Sequence, residues 1–361
     1  MFFSRKPDKT VEHLAGLVAK YYSLPIEETR PWCRQDNDKL VVTLPFCAAT
    51  QHQRLRQHIE DSLQAKEIHA AVEVTQQIPS AQTKLPGVTN IRNIVAIASG
   101  KGGVGKSTTS INLAFALQQE GARVGVLDAD IYGPSIPIML GNTSARPASV
   151  DGKHMQPIEV GGLVANSIGY LVPEEDAAVW RGPMASRALK QLIDETHWPV
   201  LDYLIVDMPP GTGDIQLTMA QQVPLSGAVI VTTPQDLALA DAQKGIAMLN
   251  KVNVPVLGLI ENMSYYQCRS CGAKEYVFSH GGGTKLAERY DLPLLGAMPL
   301  DMQIREHADS GAPLVSAEPD SPLAEAYREA ARALSMTMSL TLSARTDETN
   351  IKGDPIGVRF Q

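Results

Sequence analysis

The sequence predicts an α/β fold in which a mostly parallel sheet is covered by helices on both faces, with a small α+β domain before it. From about residue 91, short runs rich in Val, Ile and Leu alternate with helical patterns. Strands that are apolar along almost their whole length are typical of parallel strands buried on both faces. The first of these runs leads through a glycine-rich turn directly into a helix, which is how many such sheets begin a ligand site.

The strands and helices of this region alternate along the chain. Predicted strands lie at 93–99, 123–129, 203–208, 227–233, 255–261 and 294–298. Helical patterns fall between most of them, at 107–120, 184–195, 238–250 and 283–291. In sheets of this kind ligands bind beyond the carboxyl ends of the strands, so the residues that follow each strand are the first candidates for a site.

The composition of successive segments predicts how the chain is divided. The residues up to 78 contain two helical patterns and two short apolar or alternating runs, which predict a small α+β domain. The next stretch is polar, contains prolines and has no periodicity, as expected of a linker. The C-terminal residues are polar and weakly patterned and are expected to form a mobile tail. The predicted segments are 1–78, 79–90, 91–335 and 336–361.

Charge and composition exclude several classes of partner. The 361 residues have a formal net charge of −7, and no local run of Lys and Arg offers the basic surface that a nucleic-acid backbone needs. No apolar stretch approaches the roughly 18–20 residues that span a bilayer, and the N-terminus lacks the apolar core of a secretory signal. We therefore expect a cytoplasmic protein with neither nucleic acid nor membrane as its partner.

Residues 99–108, SGKGGVGKST, contain the spacing of a phosphate-binding loop, GxxxxGK(S/T). In this frame Lys106 reaches the β- and γ-phosphates of ATP and Ser107 is a ligand of Mg²⁺, while backbone N–H groups and the helix N-terminus bind the other phosphate oxygens. The loop therefore predicts a nucleotide site within a P-loop NTPase sheet. Its expected contacts are Gly100, Lys101, Gly102, Gly103, Val104, Gly105, Lys106, Ser107 and Thr108.

Acidic residues follow two other predicted strands. Asp128 and Asp130 are two positions apart at a strand end, where they can meet the magnesium ion and the attacking water, although two surface acids in a turn would give the same pattern. Asp207 follows four apolar strand residues, which is the Walker-B arrangement that holds the magnesium shell. After it, the Gly211 N–H can face a γ-phosphate, or the segment can be an ordinary glycine turn.

Lys101 comes directly after the first glycine of the loop and is not needed by the phosphate motif itself. The sequence KGGVGKST resembles the deviant Walker-A family, which includes MinD, ParA and the nitrogenase iron protein. The resemblance implies that Lys101 reaches the nucleotide of a partner subunit, so that the ATP-bound state is a face-to-face homodimer. A cation at that place stabilises the charge of the triphosphate.

Cys268 and Cys271 form a CxxC just beyond a predicted strand, at the edge of the sheet where ligands bind. Structural zinc and iron–sulfur clusters both take about four thiolate or imidazole ligands, and two chains facing each other supply that number. A bridging [4Fe-4S] cluster is the simplest interpretation. A zinc site shared in the same way, a thioredoxin-like redox pair and a CxxC without metal remain as alternatives.

Several longer segments resemble the Mrp/ApbC-type iron–sulfur cluster carriers over roughly residues 91–330: DADIYGPSIPIMLG, WRGPM, DYLIVDMPPGTGDIQLT, VTTPQDLALADAQKGI, ENMSYYQC and HGGG. The resemblance implies a homodimeric ATPase that binds a [4Fe-4S] cluster and passes it to apo iron–sulfur proteins, with cluster-assembly scaffolds as further partners. It also implies that Asn262 contacts the adenine and that Pro299 and Asp301 belong to the segment lining the base.

Other features have plainer interpretations. The N-terminal domain resembles the small iron–sulfur-assembly domain that often precedes this module, but LPIEETRPWC stands where an acidic-proline motif is expected. Cys33 and Cys47 are expected to be ordinary thiols, and His280 to cap a glycine-rich turn. The competing function is that of a MinD- or ParA-like positioning ATPase, although the C-terminal sequence lacks the amphipathic basic helix that membrane binding requires.

Overall fold

The computed structural model describes residues 9–81, 87–149, 151–172 and 182–351. The chain divides into two units, one made of Met1–Pro79 with Ser339–Gln361 and the other of Ser80–Met338. Parts of the predicted linker and tail, and the first two residues of the WRGPM segment, lie outside the described residues. None of the helices in the described ranges has the length and hydropathy of a membrane span.

The first unit contains a three-stranded sheet with helices, as predicted for a small α+β domain. Its middle strand pairs antiparallel with the strand before it and parallel with the strand after it. Apolar residues at helical spacing, such as Leu55, Ile59 and Leu63, are fully buried. The elements are α1 Lys9–Tyr22, α2 Ile26–Thr29, β1 Cys33–Asp36, β2 Lys39–Leu44, α3 His52–Gln64 and β3 Ala71–Gln76.

The second unit is built on a mostly parallel sheet, which confirms the predicted fold class. Its strands are β4 Ile91–Ala98, β5 Val124–Asp128, β6 Ile158–Val160, β7 Leu163–Ser167, β8 Leu201–Asp207, β9 Gly227–Thr232, β10 Val256–Gln267, β11 Lys274–Glu275 and β12 Leu294–Pro299. Its helices are α4 Lys106–Gln119, α5 Ile136–Met139, α6 Gly182–Asp194, α7 Asp214–Gln222, α8 Asp236–Lys251, α9 Gly282–Arg289, α10 Met302–Asp309 and α11 Leu314–Ala317. Helix α12, Pro322–Ile351, begins in this unit and continues past its last residue, Met338.

The strand order brings the predicted site residues to one edge of the sheet. Over the described residues the order is β11-β10-β9-β4-β8-β5-β7-β6, with β12 also paired to β10. The central pairs are parallel, and only the short strands β6 and β11 pair antiparallel. Asp128 and Asp207 are directly opposite in the β5–β8 register. The carboxyl ends of β4, β5, β8 and β10 therefore meet at the same edge.

Several elements were not predicted from the sequence. Strands β6 and β7 extend the sheet, and short helices such as α7 and α10 follow other strands. Helix α12 continues past Met338, the last residue of this unit, and is helical as far as Ile351, within the segment expected to be a tail. The buried residues Ala324, Tyr327, Ala331, Leu334 and Met338 of α12 lie at helical spacing, so the first part of this helix carries a pattern that the sequence analysis did not use. Arg332 on α12 binds the fully buried Glu120 at 2.6 Å, which fixes this helix against the end of α4.

Candidate functional site

The phosphate-binding loop connects β4 to α4 and has the backbone shape that its glycines predict. Gly105, the residue before the helix, has a φ of 82°, and a Cβ there would lie 2.1 Å from Asn262 Nδ2. A Cβ on Gly100 would lie 2.1 Å from the backbone oxygen of Asp241 on α8. Both positions therefore exclude any residue with a side chain. Gly102 and Gly103 are exposed in the loop, whereas Val104 is buried.

Lys106 and Asp207 form a buried ion pair beneath this loop. The Lys106 Nζ lies 2.7 Å from Asp207 Oδ2, and the two side chains are 6% and 0% exposed. Ser107 donates to the same carboxylate oxygen at 2.6 Å, and Ser110 donates to the other at 2.5 Å. The loop lysine, the serine and the Walker-B acid, predicted separately from distant parts of the sequence, are thus in direct contact.

This cluster has the donor chemistry of a magnesium site. Mg²⁺ prefers hard oxygen ligands and keeps several waters, so a serine hydroxyl with a nearby carboxylate suits it. Ser107 would bind the ion directly and Asp207 would hold its water shell. The same contacts mean that Lys106 must leave Asp207 before its ammonium can reach a phosphate.

Asp128 is fully buried and its carboxylate organises the loop that follows β5. It accepts hydrogen bonds from the Ile136 N–H at 3.1 Å and from Ser167 Oγ at 3.0 Å, and a longer one from the Asp130 N–H. Burial, followed by the nearby charge of Asp207, raises the pKa of Asp128 well above its usual range. In this structure Asp128 therefore acts on the site by holding the loop.

Asp130 faces a cavity of about 680 Å³ between the loops that follow β5 and β8. Tyr132, Pro209, Pro210 and Gln216 line the same cavity. Burial raises the pKa of Asp130 to about 6, while the charge of Lys106 opposes that rise. The carboxylate is still mostly ionised at neutral pH, so it is available to accept a proton or to orient a water molecule.

Lys101 is half-buried in the loop. Its carbonyl accepts a hydrogen bond from Ser99 Oγ at 3.0 Å, which fixes the backbone at this point. Within the described part of the chain, the Lys101 ammonium forms neither a hydrogen bond nor an ion pair. The extra lysine is therefore not used to stabilise its own loop, in contrast to Lys106.

Gly211 does not have the free N–H expected of a γ-phosphate contact. Its N–H donates to the Ser99 carbonyl at 3.0 Å, and its φ is 102°. Gln216 holds the same segment by donating to the Pro209 carbonyl at 2.7 Å. In this structure the turn after β8 is thus hydrogen-bonded to the end of β4. A phosphate contact from Gly211 requires that this bond first open.

The residues expected near the base lie on β10 and at the end of β12. Asn262 is buried and donates from Nδ2 to the Val104 carbonyl of the phosphate loop at 2.9 Å. Pro299 ends β12 opposite Tyr265. Asp301 Oδ1 accepts from the Gln303 N–H at 2.8 Å and caps α10. Contact with adenine remains a prediction for all three residues. The side chains of Asn262 and Asp301 are already hydrogen-bonded within the chain.

The CxxC lies in the turn of a short hairpin formed by the end of β10 and by β11. The Cys268 N–H donates to the Ala273 carbonyl at 2.9 Å, and the Gly272 N–H donates to the Cys268 carbonyl at 2.8 Å. The backbone N–H groups of Cys271 and Ser270 face the Cys268 sulfur, and they lower the pKa of its thiol. A thiolate is the form that binds metals, and it is also the reactive form of a redox cysteine, so the lowered pKa suits either use of this turn.

The remaining candidate residues, two cysteines and a histidine, lie in environments that suit a structural role. Cys33 and Cys47 are buried, and burial raises the pKa of Cys33 to about 12, which confirms that they are packed thiols. His280 is exposed and its ring packs edge-on against Tyr276 at 4.1 Å. The N-cap of α9 is Gly281, the residue after this histidine.

Sequence reasoning missed some residues that complete the site. Ser110 holds Asp207, and Ser167 holds Asp128. Glu261 is buried on β10 and accepts from the Gly283 N–H and from Ser264 Oγ, both at 2.5 Å. Ser110 was detectable, because it lies one helical turn after Ser107 on the same face. The other contacts depend on strand neighbours that no local pattern indicates.

A phosphate loop between a parallel strand and a helix, with Lys106, Ser107 and Asp207 in contact beneath it, defines the class of P-loop NTPases. The chain belongs to the family described as "ParA: NUBPL iron-transfer P-loop NTPase", whose model matches residues 90–335. The match includes the phosphate loop, the acids and the CxxC.

The chain is similar in sequence or structure to three proteins of known name. An iron-sulfur cluster carrier protein of Salmonella typhimurium is 61% identical over 246 residues, which is 68% of this chain and 67% of that protein. A protein of the same name from Haemophilus influenzae is 51% identical over 304 residues, covering 83% of this chain and 82% of its own. The solved nucleotide-binding protein of Archaeoglobus fulgidus, in complex with ADP, has a TM-score of 0.58 and 35% identity, covering 66% of this chain and 92% of that chain.

Proposed function

We propose that this chain is an ATP-hydrolysing carrier that binds a [4Fe-4S] cluster between two copies of itself and passes it to apo iron–sulfur proteins. The observation that supports this most directly is the CxxC turn, whose backbone N–H groups favour a thiolate at Cys268. The turn lies at the end of β10, the same strand from which Asn262 contacts the phosphate loop. The names of the similar proteins support the same function.

The number of thiolates supports a cluster shared by two chains. Of the four cysteines, Cys33 and Cys47 are buried, which leaves Cys268 and Cys271 as the accessible pair. A [4Fe-4S] cluster takes about four thiolates, so two copies complete its ligand set. The thiols lose their protons when they bind iron, and the lowered pKa of Cys268 assists that loss. Passing the cluster on requires that thiolates of the receiving protein replace these four.

The residues of the phosphate site have distinct tasks in ATP hydrolysis. Lys106 moves from Asp207 to the β- and γ-phosphates and neutralises their charge, while Ser107 and Asp207 hold Mg²⁺. Asp130 orients the attacking water in the cavity beside the loop and accepts its proton as the bond to phosphorus forms and ADP leaves. Lys101 of each chain reaches the triphosphate bound to its partner, where it stabilises the developing charge. We propose that hydrolysis changes how the two chains face each other.

Anaerobic reconstitution with iron and sulfide tests the proposed function. We expect a brown dimer with about four iron and four sulfide per two chains, which gives up its cluster to an apo-ferredoxin used as acceptor. Retention of zinc in place of iron would favour the alternative metal. Nucleotide-dependent pelleting with anionic vesicles or with DNA, without bound iron, would favour a positioning ATPase instead.

Lys101→Gln is expected to separate nucleotide binding from dimerisation. Because the Lys101 ammonium has no partner among the described residues, we expect ATP affinity of the monomer to stay within about threefold, whereas hydrolysis falls about 10²-fold or more with the loss of a cation in trans. Sedimentation with ATP and a phosphate-release assay measure the two effects. Lys251→Gln, an exposed lysine in the last turn of α8, is the matched control. An ATP-dependent dimer of the Lys101 variant as stable as the parent's would refute the role in trans.

We propose the same division of tasks along the chain as the sequence predicts. Residues 91–335 form the ATPase and cluster-binding part, and residues 1–78 form an iron–sulfur-assembly-like domain joined to it by the linker 79–90. The buried thiols of the N-terminal domain do not suit cluster binding. We therefore propose that this domain contacts scaffolds or receiving proteins rather than the cluster.

A further inference from the structure

The turn formed by residues 268–272, called here the cysteine turn, has one polar anchor outside its own hairpin in the described part of the chain. The backbone hydrogen bonds recorded for it there lie within the hairpin. Arg269, which lies between the two cysteines, extends away from the hairpin and binds Asp301, with Nη2 at 2.7 Å from Oδ1. Among the described residues, this is the only hydrogen bond or ion pair that joins the cysteine turn to another element.

Asp301 lies where the sheet meets the start of α10. Its Oδ1 accepts from both Arg269 and the Gln303 N–H, so one oxygen joins the cysteine turn to the first turn of the helix. The Asp301 side chain is 13% exposed and the Arg269 side chain is 55% exposed, so the pair lies at the surface and its part is to orient the turn rather than to stabilise the fold. One residue earlier, the Leu300 N–H donates to the Tyr265 carbonyl on β10 at 2.7 Å. Asp301 is therefore fixed to the same strand that leads to the cysteines.

β10 also contacts the phosphate loop, a few residues before the cysteine turn. Asn262 donates to the Val104 carbonyl, and the Met263 side chain comes within 3.9 Å of the place where a Cβ on Gly105 would lie. Met263 has a φ of 55°, a left-handed conformation that is unfavourable for a residue with a side chain. The strand is irregular at this point, where its register with β12 shifts. A movement of the phosphate loop would therefore act on this irregular part of β10.

We propose that Arg269 is a positioning residue. Its ion pair with Asp301 orients the cysteine turn, so that a change in the nucleotide bound at the phosphate loop changes the orientation of the two thiolates. The proposal rests on the proposed function, because it takes ATP to bind at the loop and the cluster at the CxxC. The hairpin is held at two points, through β10 and through Arg269, so movement of the strand at Asn262 rotates the turn. Without Arg269 the turn is attached only through β10. Movement of this strand then no longer determines the orientation of the sulfur atoms.

Three variants separate the ion pair from the other contacts of these residues. Arg269→Gln removes the charge from the turn, whereas Arg269→Lys keeps it and is expected to restore part of the effect. Asp301→Ser removes the charge but keeps a hydroxyl, which is a good helix N-cap, so α10 is retained. Arg305→Gln is the matched control, since it removes an exposed arginine that binds Asp309 on the same helix.

The readout is the rate at which iodoacetamide alkylates Cys268 and Cys271 in the cluster-free chain, with and without ATP and Mg²⁺. Cys33 and Cys47 are buried and do not contribute. We expect the nucleotide to change the parent's rate by at least about fivefold, the lower range of allosteric coupling, and Arg269→Gln and Asp301→Ser to reduce that change to less than about twofold. ATP affinity and thermal unfolding of Arg269→Gln are expected to match those of Arg305→Gln. Asp301 is predicted to lie near the base, so Asp301→Ser is alkylated at saturating ATP, where a change in ATP affinity does not alter the measured rate.

A rate that does not respond to nucleotide in the parent, or that responds equally in Arg269→Gln, would overturn the proposal. The result is independent of iron, so it distinguishes this proposal from the proposed function. A chain that shows the coupled alkylation but binds no cluster would refute the carrier function alone. A chain that binds the cluster normally but shows no coupling would refute only the role of Arg269.

Discussion

Cys268→Ser is expected to abolish cluster binding and to leave nucleotide binding intact. The substitution removes the sulfur that the N–H groups of Ser270 and Cys271 face, and in a dimer it removes two of about four thiolate ligands at once. We expect bound iron to fall from about four to less than one per two chains after anaerobic reconstitution. Iron and sulfide assays together with the visible absorption of the cluster measure the effect.

Ser270→Ala is the control for this substitution. Ser270 is exposed in the same turn, and alanine keeps the backbone N–H that faces the sulfur. We expect Ser270→Ala to bind the full amount of iron. If Cys268→Ser also retained the full amount, Cys268 would not be a ligand, and the cluster site would have to lie elsewhere in the chain.

Lys106→Gln is expected to reduce ATP hydrolysis at least about 10²–10³-fold, the usual cost of removing even one preorganised hydrogen-bond donor from a transition state. Phosphate release at saturating ATP measures the loss. The substitution also leaves Asp207, which is 0% exposed, without its cation, and breaking a buried pair in this way costs about 3–5 kcal/mol of stability. Loss of activity and loss of folding must therefore be measured separately.

The double variant Lys106→Gln with Asp207→Asn separates these two effects. Replacing both charges leaves a neutral, hydrogen-bonded pair, which is expected to recover most of the lost thermal stability. Hydrolysis is expected to stay at the low level, because neither the cation at the phosphates nor the acid of the magnesium shell is restored. Activity within about tenfold of the parent in the stable double variant would contradict the assigned roles.

In this structure, groups expected to bind the nucleotide already contact other parts of the chain, and binding of ATP has to replace some of these contacts. Lys106 is held by Asp207, Gly211 is hydrogen-bonded to Ser99, and Asn262 is bonded to the loop itself. Three groups that are expected to contact the nucleotide therefore have hydrogen-bond or ion-pair partners within the chain. Binding of ATP and Mg²⁺ has to exchange at least the first two, and the third connects the loop to the strand that leads to the cysteines. The proposed coupling between the nucleotide and the CxxC would run along this strand.

The parts of the site that the sequence predicts are those whose chemistry is local. The phosphate loop was predictable because its glycines, lysine and serine are adjacent, and because the apolar strand before it and the helix after it are continuous patterns. The same holds for Asp207, which ends an apolar run. The first part of helix α12 was detectable as well, because Ala324, Tyr327, Ala331, Leu334 and Met338 are buried at helical spacing; only its continuation to Ile351 lies in a polar segment.

By itself, the sequence determined the class of the protein: a parallel sheet, a phosphate-binding loop, and a pair of cysteines at a strand end. Only the tertiary structure decided how these parts are joined. Asn262 meets Val104 across 158 positions and Arg269 meets Asp301 across 32, and neither pairing leaves a periodic or local trace in the chain. The physical reason is that such contacts depend on which strands become neighbours in the sheet, and burial of the whole sheet, rather than any one segment, selects that order.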